Sequence, residues 1–541
     1  LSPAAGTVLA QLSVFASAFT REDMQAVAPA GMDVYRELHV TSLLQTETEL
    51  GWFSLHPLVN QYAAQRLALQ GLEDETRARH SRYFLAPFDL GGRIRAPRIF
   101  ESPQLDRIRR TQADALAAWE NAVAREDWAL LERVCFDFAV YLYWTQQRNT
   151  GARLLALVSE SLPAFDQRTP GQHRLAARGA AIFALSHALV SMKESSAWYE
   201  HSLASSEAAH EPWDIAATCD LYADSILNHG FGQLARAEQL LARASQLIAL
   251  HDFTYLAPSV TMLTSILAIH QGAWTQAEAA LTTALASMSW SRPLTIRQLT
   301  IRRLAMLQAA FLDDWQTVMQ LVDMGGTASG DRPIEGAAAA FTNLFQARLL
   351  AQRGDLAGAC RHRIASMPTF VNFIGELPGA YGELALWQTL SGDVGGARVS
   401  ADAALARIRP TLPRYSIGFG LLVVGVCHWL WDETARAEEL LRQVLTLGLE
   451  LEHAVMIFSP LYYLVQIHAA RLPADLVAHV VQIGAVSPAL YFALRPPARS
   501  HPAAQELARA DDERAALWAT DRAAVTALLA EVEGEIGRLR E

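Results

Sequence analysis

Lysine is almost absent: Lys193 is the single one in 541 residues, so arginine supplies the other 44 of the 45 basic side chains. A phosphate-binding loop of the GxxxxGK kind, closed by Ser or Thr, needs a lysine in a fixed context, and this chain has none. Kinase and Schiff-base chemistry are disfavoured for the same reason. Cysteine is scarce too. Cys135, Cys219, Cys360 and Cys427 form no CxxC pair, which excludes the usual metal and redox motifs and predicts buried, reduced thiols in a cytoplasmic protein. No apolar run reaches the ~20 residues of a membrane span. The longest, Ser416 to Trp431, reads as a buried helix. The 16 histidines include no HExxH, and no GxSxG occurs, so the expectation is a non-enzyme with no catalytic and no metal-binding residue.

What is present is apolar and mildly acidic. Hydrophobic residues make up 51% and charged ones 19%, enough to fold, with a formal charge of −11. That sign is wrong for a protein that blankets phosphate backbones. The length is several times that of a ~150-residue domain, which predicts several domains or a repeat array. Leu1 opens the chain without methionine or signal peptide, which reads as part of a longer protein.

Self-similarity runs through the middle of the chain. Turn segments such as Gly272-Ala-Trp274, Asp313-Asp-Trp315, Gly354-Asp-Leu356 and Gly392-Asp-Val394 precede a small residue on a following helix. With Ala197, Ala237, Ala277, Val318, Ala359, Ala397 and Ala437 as anchors, the intervals are 40, 40, 41, 41, 38 and 40. A helical hairpin explains the pattern: the small anchor admits the neighbouring helix, and the apolar residue three earlier plugs the turn. An aliphatic four later, such as Leu241, Leu281, Val322 or Leu441, packs onward. On this reading Trp128, Trp274 and Trp315 are core. One hairpin cannot bury its own faces, so neighbours must stack, and a right-handed α-solenoid of about eight tetratricopeptide-like hairpins is expected over 112–482. Acidic helices over 483–541 would cap it.

The first 85 residues break this pattern. Helices are expected at Val8–Phe15, Glu22–Ala28 and Val34–Leu44, then a β-hairpin over Gln45–Leu55 turning near Gly51, then a helix opening at Pro57. Three helices and a hairpin describe a winged helix over 1–85. Its 6 Arg against 9 Asp and Glu make DNA a poor partner. Residues 86–111, with Arg93, Arg95, Arg98, Arg107, Arg109 and Arg110, read as an arginine-rich, solvated linker. The glycine-rich stretch 325–330 has no lysine after it and reads as a connector.

Leu9-Ala-Gln-Leu-Ser-Val-Phe15, Leu38-His-Val-Thr-Ser-Leu-Leu44, Trp52-Phe-Ser-Leu-His-Pro-Leu58 and Arg79-His80 with Tyr83-Phe84 resemble the winged-helix part of STAND (NB-ARC-type) signalling ATPases. Asp114–Ala122 and Leu142–Gly151 are similar to the start of their tetratricopeptide-like sensor arrays, and the ~40-residue period resembles the maltose-regulon activator group. The resemblance implies an all-α sensor and regulatory arm. His56 would contact the β-phosphate of ADP held by an upstream ATPase core, so ADP or ATP is expected only with that core and no cofactor in this chain. The solenoid would bind an inducer or partner protein, with bearing on signal transduction and transcription regulation and no membrane partner. A free-standing scaffold for protein–protein contacts is the alternative. Polar residues on the first helix of each hairpin would face the groove, with Tyr222, Asn228, Arg303, Arg348, Glu383 and His428 as candidates.

Overall fold

In the computed structural model the described residues are 1–477, apart from 48–50, 100–101, 103, 146, 189–190, 230–231, 289, 291–295, 325–332, 371–376, 411, 413, 471 and 475–476. The expected connector at 325–330 and the capping segment at 483–541 lie outside them. Among the described residues the chain is helical but for one small sheet. It divides into two compact units, one made of Leu1–Ser186 with Trp198–Asp214, the other of His187–Ala197 with the chain from Ile215 onward.

The first unit opens with α1 (Pro3–Leu12), capped by the Ser2 hydroxyl accepting from the Ala5 N–H. Next come β1 (Phe19–Thr20), α2 (Arg21–Val27) and α3 (Met32–Val40), with a reciprocal capping box between Thr20 and Asp23 at the start of α2. The expected hairpin is β2 (Leu44–Thr46) against β3 (Trp52–Leu55), pairing Leu44 with Leu55 and Thr46 with Phe53. A third strand was not foreseen: β1 pairs antiparallel with β3, giving the order β1-β3-β2. Two residues are too few to show a period of two. α4 (Pro57–Leu69) starts at the expected proline, and α5 (Glu73–Leu85) follows.

The described residues of 86–111 are folded, unlike the solvated linker expected from their composition. Ala86–Phe88 forms a single 3-10 turn, Arg93 pairs with Ala96, and α6 spans Leu105–Arg110. Phe88, Ile94 and Ile99 are fully buried. After α7 (Gln112–Ala124), α8 (Trp128–Trp144) supplies Asp137, whose carboxylate accepts the backbone N–H groups of Gly92, Arg98 and Ile99 at 3.0, 2.7 and 2.9 Å. A carboxylate 45 residues from Gly92 therefore organises the segment, which local composition cannot reveal. Hairpin helices α9 (Arg148–Ser161), α10 (Pro170–His187) and α11 (Met192–Ala208) continue the chain.

The second unit holds α12 (Pro212–His229) from Ile215 onward, α13 (Leu234–His251), α14 (Ala257–Gln271), α15 (Trp274–Ala286), α16 (Ile296–Phe311), α17 (Trp315–Asp323) and α18 (Pro333–Gln352). It continues through α19 (Leu356–Phe370), α20 (Leu377–Leu390), α21 (Val394–Leu405), α22 (Arg414–Leu430), α23 (Thr434–Leu451) and α24 (Ala454–Ile467). The apolar run around Ser416 is α22, buried as expected.

One device builds the turns. Gly272, Asp313, Gly354, Gly392 and Asp432 take left-handed backbone angles, with φ of 76, 65, 84, 89 and 64°. Each next residue sends its N–H back five positions, as in Ala273 to Ala268, Asp314 to Ala309 and Asp393 to Gln388 at 2.8, 2.8 and 2.9 Å. The second helix begins one residue later, and Asp314 and Asp393 cap it through their side chains. Gly and Asp recur at these turns because they tolerate or cap this geometry.

Ala237, Ala277, Val318, Ala359, Ala397 and Ala437 are all fully buried, and Leu241, Leu281, Val322 and Leu441 are buried with them. Ala197, the first anchor in the series, is exposed; its place belongs to Ser195, which is buried three residues into α11 just as the others are three residues into theirs. The plug is less uniform than expected. Leu234 and Trp274 are buried, Trp128, Trp315 and Leu356 half-buried, and Val394 is 40% exposed. A turn fixed by backbone hydrogen bonds does not require an apolar plug.

Within this unit the array closes on its own beginning. α24 packs on α14, the rings of His270 and His453 lie 4.1 Å apart, and the Phe311 ring approaches Phe419 at 6.1 Å. At Gly232, with φ of 62°, a Cβ would stand 2.9 Å from the Glu450 carbonyl, so the close approach there requires glycine.

Candidate functional site

Inside the closed array of the second unit is a cavity of about 1000 Å³, its open mouth included. Every helix that opens a hairpin contributes to it: Asn228 from α12, His270 from α14, Arg303 and Gln308 from α16, Arg348 from α18, Gly379 from α20 and Phe419 from α22. His453, at the head of α24, closes the wall. Phe311, Phe341, Phe345 and Tyr415 add aromatic faces beside the aliphatic Leu227, Ile266, Ile269, Leu307 and Leu344.

The polar groups differ in how well they are matched. Glu383, fully buried behind the wall, pairs with Arg348 at 2.9 Å and Arg363 at 3.1 Å, which makes a buried Arg-Glu-Arg triad across α18, α19 and α20. The Arg348 guanidinium also lies 5.0 Å from the Phe345 ring, and that of Arg303 lies 4.9 Å from Phe341. Arg302, one residue along, faces away into the packing, where it donates to the carbonyls of Leu321 and Val322 and to Thr342. Burial without a carboxylate lowers its pKa to about 10.

Burial also lowers the pKa of His453 to about 4 and that of His270 well below the usual histidine value, the latter further depressed by His453. Both rings are neutral at neutral pH. Gln308 is 1% exposed, and neither its Oε1 nor its Nε2 has a hydrogen-bond partner among the described residues. Nδ1 of His453 likewise has none there.

Of the groove candidates, Asn228, Arg303 and Arg348 line the cavity and Glu383 stands directly behind it. Tyr222 is buried instead, 5.8 Å from the Arg236 guanidinium. His428 sits at the turn after α22, bonded to Glu433 at 2.6 Å and edge-on to Trp431. Gln308, His270, His453 and Arg363 were missed. A signal was available for some of them: Asn228, His270, Gln308 and Arg348 follow one another at 42, 38 and 40 residues, close to the repeat period.

In the first unit His56 is exposed at the head of α4, where its Nδ1 accepts the Leu58 N–H at 3.3 Å. The arginines of 86–111 have separate partners. Arg107 pairs with Asp23 at 2.6 Å, Arg109 with Asp106 at 3.3 Å, while Arg110 lies over Trp52 and Arg93 over Trp213. Cys135, Cys219 and Cys427 are buried free thiols and Cys360 is half-buried; burial pushes Cys135 and Cys427 up to about 12. Among the described residues no group of His, Cys, Asp or Glu is placed to hold a metal ion, and no helix is long and apolar enough to cross a membrane.

No protein-family model and no curated protein matches the sequence. Among solved structures the chain is similar to a Signal Transduction ATPase with Numerous Domains (STAND) protein with a tetratricopeptide repeat sensor, from Pyrococcus horikoshii. The identity is 12% and the TM-score 0.45, over 89% of this chain and 62% of that one, so this chain spans less than two thirds of its neighbour's length.

Proposed function

We propose that the second unit is a small-molecule receptor and that the chain as a whole is a non-catalytic sensor and regulatory arm of a STAND-type signalling ATPase. One observation carries the receptor reading: a single cavity is lined by residues of seven successive inner helices, α12 to the head of α24, and holds buried polar atoms with no partner among the described residues. A ligand there would touch helices scattered over more than 200 residues at once, from Asn228 to His453, and would favour whichever arrangement of the array matches it. The STAND assignment rests on the winged-helix-like residues of 1–85. In it, His56 reads the ADP of an upstream core, and ADP or ATP is that core's ligand. Likeness to the maltose-regulon group stays part of the proposal, on the ~40-residue period alone.

The test is a thermal-shift screen of a metabolite library against the 541-residue chain and against Leu307→Trp, which fills the cavity. Compounds that raise Tm only in the native chain support a receptor. If hits shift both proteins alike, or if only peptides bind, the scaffold reading replaces it.

A further inference from the structure

Resting on the receptor reading, we infer that the cavity selects an uncharged planar ring compound bearing an amide-type edge, a hydrogen-bond donor beside an acceptor as in a carboxamide or a lactam. The recognition element is Gln308. The residue lines the cavity and is 1% exposed, and both polar atoms of its carboxamide lack a partner among the described residues. A primary amide offers one donor and one acceptor side by side, and its best complement is another amide edge, which satisfies both in one plane. A single hydroxyl or a carboxylate satisfies half of it and leaves the other half buried and unmet.

The surroundings fit the same class. Phe311, Phe341, Phe345 and Phe419 give flat apolar walls for a ring. The His453 Nδ1, also unmatched and on a neutral ring, gives one further polar contact. Glu383 already holds both Arg348 and Arg363, so their guanidinium groups have a buried carboxylate at hand. Arg303 also lines the cavity, its guanidinium over the Phe341 ring; beside these arginines the wall presents aromatic faces and a neutral amide with no partner among the described residues, and it is this amide that the ring compound's edge meets.

Three probes of one size test the inference on the intact chain: benzamide, benzoate and toluene, titrated by saturation-transfer NMR, with Gln308→Leu as the variant. Benzamide should bind the native chain about tenfold more tightly than either other probe, the effect of one well-formed buried hydrogen-bond pair. In Gln308→Leu that preference should vanish, toluene should gain, and the probe-free protein should melt at a higher temperature because an unmet buried amide has been replaced by an apolar group of similar size. Benzoate binding more tightly than benzamide would overturn the amide edge and give selection to the arginines, while leaving a small-molecule receptor standing. A Gln308→Leu chain that melts lower, or binding of none of the three, would also overturn it; the screen with Leu307→Trp then decides separately whether the cavity is a receptor.

Discussion

Three carboxylates of the first unit and one amide of the second show two ways of burying a polar group. In the first unit Asp23, Asp114 and Asp137 are saturated, although Oδ1 of Asp214 has no hydrogen-bond partner among the described residues. Asp114 accepts from the Ala16 and Ser17 N–H groups at 2.7 and 3.1 Å, from the Ser17 hydroxyl, and pairs with His80 at 2.9 Å. Asp23 receives Thr20, Tyr83 and Arg107, and Asp137 receives three backbone N–H groups. In the second, Gln308 is as deeply buried and is answered by nothing among the described residues. A saturated network fixes a shape; an unsaturated one is a standing cost that the fold tolerates where something else is meant to bind. Ser205, Ser206 and His173 also bury polar atoms without a partner among the described residues, so it is the conjunction of an unpartnered group with a cavity, as at Gln308, that marks a candidate site.

That contrast can be broken or sharpened by measurement. The largest effect is expected from Glu383→Ala, which strands two buried guanidinium groups and should cost roughly 3–5 kcal/mol by urea unfolding of the second unit. A loss under 1 kcal/mol would mean that Arg348 and Arg363 are answered elsewhere. Acid comes next. His453 has a folded pKa of about 4, below its ordinary 6.5, so the unfolded chain binds the proton more readily. Its contribution to stability is intact above pH 6.5 and is lost as pH falls toward about 4, by up to ~3 kcal/mol, with His270 adding in the same direction. Urea midpoints measured between pH 7 and 4 should fall accordingly, and His453→Phe should flatten the slope.

Asp114→Asn follows. It keeps the size but turns an acceptor-only group into one with a donor face, against the four groups that meet the carboxylate, and should cost about 2 kcal/mol. The loss should appear in the unfolding of the first unit and leave probe binding in the second unchanged. Smallest, and opposite in sign, is Gln308→Leu, expected to gain about 1 kcal/mol in the absence of ligand. A destabilised Gln308→Leu would erase the contrast between the units.

Much of the fold was legible because repetition multiplies a weak signal. One buried alanine means little, but Ala237, Ala277, Ala359, Ala397 and Ala437 at nearly equal steps mean stacked hairpins. The slip at Ala197 shows the limit: when Ser195 replaces alanine, a search for alanine settles two residues away on an exposed position. Of the cavity, the period identified the inner helices and hence Asn228, Arg303 and Arg348. It could not separate them from Tyr222 or His428, because spacing tells which helix a residue occupies and not how far along that helix the cavity extends. Gln308 keeps the repeat spacing, but its role was hidden for another reason. A helical glutamine is ordinary until the structure shows that nothing among the described residues answers it. The ordering of 86–111 by Asp137 and the strand at Phe19 were hidden likewise, since both depend on partners remote in sequence.

The seam between α14 and α24 changes what shortening the protein would do. An open stack loses its terminal hairpin and keeps the rest much as it was. Here His453 meets a ring 183 positions upstream, so cutting the chain before Glu450 would strip one wall from a chamber whose other walls were built long before. During synthesis the hairpins can assemble one by one, yet the chamber comes into being only with α24, and until then this unit has nowhere to hold a guest.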